Sequence, residues 1–331
     1  MNDTTAVLLA SSGLPAFARW RHRGRLSILM FHGVVERALE PFCWYQLAVA
    51  DFERQMRWVA RHYAVLPMSE GLARLSAGTL PPRAMSITFD DGYRNNLTVA
   101  APVLEALRLP ATIFLVTGTL GTDEVVWPDR LWLAFAHTSR PRIHAPDLGL
   151  DDVPLALAAE RGRAFLLAVR VLKGLERGAK DLRLTALLAA LGERTPVDPG
   201  PFRALTWEDV AVLQRTGRFE FGGHSVRHDI LARSDDSDVA ATISQSHREV
   251  TARTGIVPVA FAYPNGRSID FDARARAVVS AAGLSYALST ESGWNDASAD
   301  RLALRRFSIG ADLSFARFRL VASGARDMLR G

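Results

Sequence analysis

Two short stretches carry residue types that could do chemistry. Ser86-Ile87-Thr88-Phe89-Asp90-Asp91-Gly92-Tyr93 ends an apolar, β-rich run in two adjacent carboxylates, and a glycine then turns the chain. Burying two carboxylates side by side is costly unless positive charge lies beside them. Further along, Gly222-Gly223-His224-Ser225-Val226-Arg227-His228 presents two imidazoles four residues apart, again after an apolar run. One Asp and two His with an open coordination position are the donor set of a catalytic zinc site. The Asp left over then has the placement of a general base. An Asp-Asp-Gly triplet alone is ordinarily a solvated turn, and a lone His pair at this spacing ordinarily lies on a helix surface. Their joint occurrence, each at the end of an apolar run, points to a site.

The same residues carry a family resemblance. Thr88-Phe89-Asp90-Asp91-Gly92 and His224-Ser225-Val226-Arg227-His228 resemble the first two motifs of the polysaccharide deacetylases, the carbohydrate esterases with a NodB-type domain. Phe261-Ala262-Tyr263-Pro264-Asn265-Gly266 is similar to their third motif, and Ser289-Thr290-Glu291-Ser292-Gly293-Trp294 stands where the fourth lies. The resemblance runs from Leu26 to Ile309 and implies an α/β fold, a distorted (β/α)7-8 TIM-like barrel of the NodB type. It also implies an N-deacetylase: water attacks an unactivated amide, which requires a strong nucleophile, an oxyanion stabiliser and a proton for the leaving amine. On this basis Asp91, His224 and His228 are the expected ligands of Zn2+, or of another divalent metal such as Co2+ or Ni2+, and Asp90 is the expected base. The backbone N–H of Asn265, following Pro264, is expected to help hold the oxyanion. Tyr93, Tyr263 and Trp294 are candidates for contact with the sugar, since aromatic faces pack on its C–H surfaces.

Two departures from the family pattern matter. Many relatives have an arginine two residues before the third-motif proline, and this chain has Ala262. Many also have a histidine in a Leu-x-His fifth motif, whereas the last strand here reads Leu302-Ala303-Leu304-Arg305-Arg306-Phe307. Both are reconciled by resemblance to the poly-N-acetylglucosamine deacetylase branch. There the acid moves to a histidine after the first strand, here His32, and an arginine of the last strand, here Arg306, approaches the base. The expected partner is therefore an N-acetylated glycan: an exopolysaccharide of the poly-N-acetylglucosamine kind, a chitin-like polymer or peptidoglycan. Two other readings stand beside it, a glycan-binding relative that has lost activity and a hydrolase of small cyclic amides such as allantoin.

Composition narrows the class. With 48% hydrophobic and 23% charged residues in 331, the chain can bury a large core. The net charge of +5 is carried almost wholly by arginine, and the arginines are scattered, so no nucleic-acid-binding stripe is expected. Cys43 is the single cysteine, which rules out an intramolecular disulfide. No stretch has the length of a transmembrane helix, and the apolar patch Ala6–Ala10 lacks a basic segment before it. Cytoplasmic residence is the default expectation, with export left open; oligomeric state is not legible.

The elements that must position these residues alternate. Leu26–Phe31, the run ending at Asp90, Ala111–Val116, Phe219–Phe221, Val257–Tyr263, Leu284–Leu288 and Leu302–Ile309 read as strands. Helices are expected over Asp51–His62, capped by Asp51, and over Asn95–Leu107, from Thr206 to Gly217, and over Asp236–Thr254, Phe271–Ala282 and Phe315–Met328. Residues 1–24 read as an extension and 25–331 as one barrel domain. An Ala/Leu-rich helical insertion is expected over about 131–200, closed by the linker Pro196–Pro201.

Overall fold

The computed structural model describes residues 2–193 and 198–329. Pro196 and Val197 of the expected linker lie outside the described residues. Strand β1 (Ser27–Phe31) is buried at every position, as a parallel strand covered on both faces must be. The same holds for β3 (Ala84–Phe89) and β4 (Ala111–Leu115). With β2 (Ala64–Val65), β5 (Phe219–Gly223), β6 (Ala260–Ala262), β7 (Tyr286–Leu288) and β8 (Phe307–Ser308), they form one sheet of order β7-β6-β5-β4-β3-β1-β8, with β2 on β3. Every pairing in it is parallel. The sheet curls until its ends approach: a bridge joins Leu288 to Leu304, just before β8, and Ser289 N–H donates to the Leu304 carbonyl at 2.8 Å. The result is the expected distorted (β/α) barrel.

Apolar side chains fill both surfaces of the sheet. Ile28, Phe114, Ala260, Ala262, Leu288 and Leu304 belong to one cluster. Leu29, Phe31, Ile87, Phe89 and Ile113 pack with Phe52, Met56 and Val59 of the helix Val49–His62 in another. That helix begins before Asp51, which lies in its first turn and pairs with Arg54 instead of capping it. Thr206 does cap the helix Trp207–Arg215, its hydroxyl accepting from Asp209 N–H while the Asp209 carboxylate accepts from Thr206 N–H, both at 3.1 Å. The expected Asn95–Leu107 helix starts as a π turn, Asn96–Ala100, before becoming α-helical. That wider turn keeps Asn96 aimed at the His32 carbonyl, to which its Nδ2 donates at 2.8 Å.

The insertion begins earlier than expected, with the helix Trp127–His137, and contains an antiparallel hairpin, Arg142–Ala145 with Leu150–Pro154, between that helix and Ala158–Leu172 and Arg177–Leu191. It has its own apolar cluster, built on Trp132, Phe135, Phe165 and Leu187, and Tyr45, Tyr93 and Phe202 join that cluster to the barrel end. The extension forms two helices, Asp3–Ser11 and Leu14–Arg21, which lay Ala6, Ala10 and Ala18 against Leu320 and Ala325.

Trp294 is placed by this packing far from any sugar subsite. It stacks on His22 with ring centroids 3.6 Å apart and meets Phe307 edge-on, beside the Leu26–Asn295 bridge at the foot of β1. A Cβ on Gly324, whose φ is +70°, would collide with the Trp294 ring. Gly324→Ala is therefore expected to cost about 1–3 kcal/mol of stability by overpacking. The check is a lower thermal midpoint at unchanged kcat.

Candidate metal centre and active site

The ends of the strands deliver the site. Phe31 of β1 is paired with Phe89 of β3, so the residues that follow, His32 and Asp90, emerge side by side, and Asp90 N–H donates to the Phe31 carbonyl at 2.9 Å. Leu115 of β4 is paired with Gly223 of β5, which puts His224 at the same level. This is the C-terminal face, where barrel sites are built. Two consecutive aspartates on an extended chain would point apart. Here Asp91 itself adopts a left-handed backbone, φ +72°, followed by Gly92 at +74°, and both carboxylates reach the cavity. Ser225, His228 and Asn265 are left-handed as well. Such backbone is costly for residues with a Cβ, and it gathers where a fold holds functional groups in place. The loop Ser225–His228 is braced accordingly: Ser225 Oγ accepts from His228 N–H and Thr242 Oγ1 accepts from Val226 N–H, both at 2.9 Å.

Asp91, His224 and His228 present ligand atoms all within 4.8 Å of one another. His224 Nε2 lies 3.5 Å and His228 Nε2 3.3 Å from Asp91 Oδ1. The fit to a cation is tested by what these atoms lack. Asp91 Oδ1 is buried with no hydrogen-bond partner. His224 Nδ1 is 2.8 Å from the Ala262 carbonyl, and that bond fixes the tautomer and leaves the Nε2 lone pair facing Asp91. Burial pulls the His228 pKa down to about 4, against the charge of Asp91, so this imidazole is a neutral donor. Three converging donor atoms, one of them a buried carboxylate oxygen with no protein donor, are what a divalent metal completes.

Asp90 differs from its neighbour in its partner. Burial acts to raise its pKa, but the Arg306 guanidinium overrides it and, with His224, holds the carboxyl down at about 2. Arg306 is fully buried and bidentate, with Nη1 and Nη2 at 2.7 and 2.8 Å from the two Asp90 oxygens. Its Nε donates to the Ser289 carbonyl at 2.9 Å. The charge partner absent at Ala262 is thus supplied by the residue that immediately precedes β8. Replacing Arg306 by Met would strand a buried carboxylate, and a loss of about 3–5 kcal/mol is expected at neutral pH. Without Arg306, burial is left to raise the Asp90 pKa above its unfolded value, and such a group destabilises the fold as pH rises. The deficit measured by chemical denaturation should therefore shrink toward about pH 4.

Asp90, Asp91, His224 and His228 line one cavity of about 340 Å³ with His32, Tyr93, Asn265 and Thr290. His32 is half-buried and meets Trp44 edge-on at 5.5 Å. Its Nδ1 has no hydrogen-bond partner, and burial lowers its pKa while Asp91 and Asp90 act to raise it. The Tyr93 hydroxyl donates to Asp129 Oδ2 at 2.9 Å. Asn265 is anchored through its carbonyl, which accepts from Thr290 Oγ1 at 2.9 Å.

Tyr263 is not among the lining residues. It is fully buried and stacks on Phe271 with centroids 4.0 Å apart, so it is a core aromatic and not a wall of the sugar subsite. Pro264 is buried behind Asn265. Several lining residues were missed in the sequence. Asp129 accepts from Tyr45 and Tyr93, and burial and Asp91 push its pKa well above the carboxylate range. The signal was Trp127-Pro128-Asp129, a helix start carrying an acid that is then buried. Phe165, Leu166, Val169 and Lys173 come from the insertion and have no local motif.

A family model for polysaccharide deacetylase matches residues 77–148 and 164–287. An 80-residue segment is 34% identical to the poly-beta-1,6-N-acetyl-D-glucosamine N-deacetylase of Staphylococcus aureus (strain MSSA476), covering 24% of this chain and 28% of that protein. The match thus spans less than a third of the curated relative's length. Among solved structures, the Streptococcus pyogenes deacetylase PplD in complex with acetate superposes with a TM-score of 0.59 at 16% identity, covering 90% of this chain and 98% of that one. IcaB from Ammonifex degensii gives 0.58 at 16% identity, covering 91% and 97%. Likeness at such identity speaks for the fold. With more than half of its length matched by the family model, the chain belongs to the polysaccharide deacetylase family.

Proposed function

We propose that the protein is a metal-dependent hydrolase that removes N-acetyl groups from N-acetylhexosamine residues of a polysaccharide or oligosaccharide. The observation that carries this reading is the Asp91–His224–His228 donor set beside an Arg306-held Asp90 in one cavity. A Zn2+ ion held by Asp91, His224 and His228 supplies Lewis acidity, acidifying water and polarising the acetyl carbonyl. Co2+ and Ni2+ are alternatives for the same donors. Asp90 takes the proton from the attacking water; a carboxylate kept ionised by Arg306 is always ready to accept it. The Asn265 N–H is directed at the oxyanion, and Tyr93 contacts the sugar. His32, across the cavity, gives a proton to the departing amine. A spare carboxylate with its own buried arginine is superfluous in a pure binder, which disfavours a non-catalytic role.

The direct experiment is acetate release by the zinc-loaded protein from N-acetylglucosamine oligomers, chitin oligomers and peptidoglycan, with allantoin alongside. Turnover of a glycan that stops on chelation is expected. Allantoin hydrolysis alone would move the assignment to small cyclic amides, and binding without turnover of any would favour the glycan-binding reading. His32→Ala should lower turnover of the acetamide by about 10²–10⁴-fold, the worth of a general acid. An ester with a good leaving group needs little protonation and should suffer far less. Equal losses on both substrates would remove His32 from the acid role.

A further inference from the structure

Of the 40 basic residues in the chain, two are lysines, Lys173 and Lys180, and both belong to the insertion. Their surroundings differ. Lys180 is buried and fully accounted for: its Nζ lies 2.6 Å from Asp229 Oδ1, 3.2 Å from Asp181 Oδ1 and 5.4 Å above the Trp127 ring. Lys173, at the end of the Ala158–Leu172 helix, stands half-buried on the wall of the cavity that holds Asp91 and His228. Its Nζ donates to a neutral amide, Asn265 Oδ1, at 2.6 Å, its one hydrogen-bond partner among the described residues.

The carboxylates around Lys173 are engaged elsewhere. Asp270 accepts from Arg267 N–H at 3.0 Å, Nε at 2.9 Å and Nη2 at 3.2 Å, and from Asn265 Nδ2. Asp90 is held by Arg306, Asp91 belongs to the donor triad, and both Asp129 oxygens accept from phenols. An ammonium has three donors, and two of these have no hydrogen-bond partner among the described residues. Burial lowers the Lys173 pKa, with Asp270 and Asp91 acting against it. A half-buried cation whose neighbouring carboxylates are each engaged by other groups is costly and is tolerated where a ligand completes it. A sugar hydroxyl would satisfy the donors but not the charge.

We propose that Lys173 is a specificity-determining residue that binds an anionic oxygen group, a carboxylate or a phosphate, carried on the glycan beside the scissile acetamide. The preferred substrate is then an acidic glycan. This rests on the deacetylase reading and narrows its substrate class.

The experiment compares N-acetylglucosamine oligomers with oligomers of equal length in which neighbouring sugars carry a carboxylate or a phosphate. For the zinc-loaded protein, kcat/KM on at least one anionic oligomer should exceed that on the neutral one by about tenfold or more, chiefly through KM, the worth of one charge-assisted hydrogen bond. In Lys173→Met that ratio should fall to near one, and Lys173→Arg should keep most of it. The two anionic arms tell carboxylate from phosphate. A ratio near one in the unaltered protein overturns the proposal, as does a Lys173→Met loss equal on all three substrates, which would make the residue a brace for Asn265. Calorimetric titration of the same oligomers into Asp90→Asn reads the preference without turnover. A Lys173-dependent anion preference in that titration, together with no acetate released from any glycan by the unaltered zinc-loaded protein, would sink the deacetylase reading and leave the Lys173 site standing. No preference in the titration sinks the Lys173 site.

Discussion

His228→Ala is expected to fold, to bind no stoichiometric zinc and to release no acetate. The donor triad is compact, with all ligand atoms within 4.8 Å, so removing one leaves Asp91 and His224 as a two-point contact too weak to retain a metal against a chelator. The fold should survive because His228 lies on a loop outside the apolar clusters and lines the cavity, with its backbone braced by Ser225 and not by its ring. Two measurements check this together. Metal content after chelation and reloading should fall from one ion per chain to near none. The rise in thermal midpoint that zinc gives the unaltered protein should vanish, since a ligand that no longer binds the native state cannot stabilise it. Stoichiometric zinc in His228→Ala would remove the ligand assignment altogether.

Much of the site was legible because it is written at strand ends. A parallel barrel strand is largely apolar on both faces, so Ser27–Phe31, Ala84–Phe89 and, around Glu220, Phe219–Phe221 stand out, and polar residues just beyond them mark the C-terminal face. His32, Asp90, Asp91 and His224 were found that way. Arg306 was expected from the resemblance to the poly-N-acetylglucosamine deacetylase branch; it lies just before the last strand, which is shorter than expected, and its full burial against Asp90 meets the charge requirement that opened the sequence reading.

What failed to show is what depends on side-chain direction or on distant segments. Tyr263 and Trp294 have the right chemistry for a sugar platform, but the alternation of the chain turns Tyr263 outward onto Phe271, and Trp294 packs on His22 at the opposite end of β1. A composition argument cannot distinguish a wall from a core aromatic. The insertion was legible as helical from its Ala/Leu pattern, whereas its short hairpin was hidden between prolines. That Lys173, 92 residues before Asn265, would reach it could not be read from either segment alone. The turn expected at Gly92 is present, but the left-handed backbone of Asp91 before it could not be read from the sequence.

Asp90→Asn is the second large effect expected, and it separates two carboxylates that adjoin in sequence. Their partners already divide them. Both Asp90 oxygens are taken by Arg306, whereas Asp91 Oδ1 has no protein donor and sits closer to His224 Nε2, at 3.5 Å against 4.0 Å for Asp90 Oδ2. Asparagine keeps the shape of Asp90 and one acceptor for Arg306 but removes the charge and the basicity. Zinc should still bind at one ion per chain, because none of its three donors has changed. Turnover should fall by about 10²–10⁴-fold, as for a lost general base. Some stability should be lost too, since Arg306 becomes a buried cation without its counter-charge, and the thermal midpoint reads that separately from activity. If zinc content drops together with turnover, Asp90 is a ligand and the two aspartates exchange roles. If turnover is kept, the attacking water loses its proton to some other group, and the buried Arg306–Asp90 pair is a structural device alone.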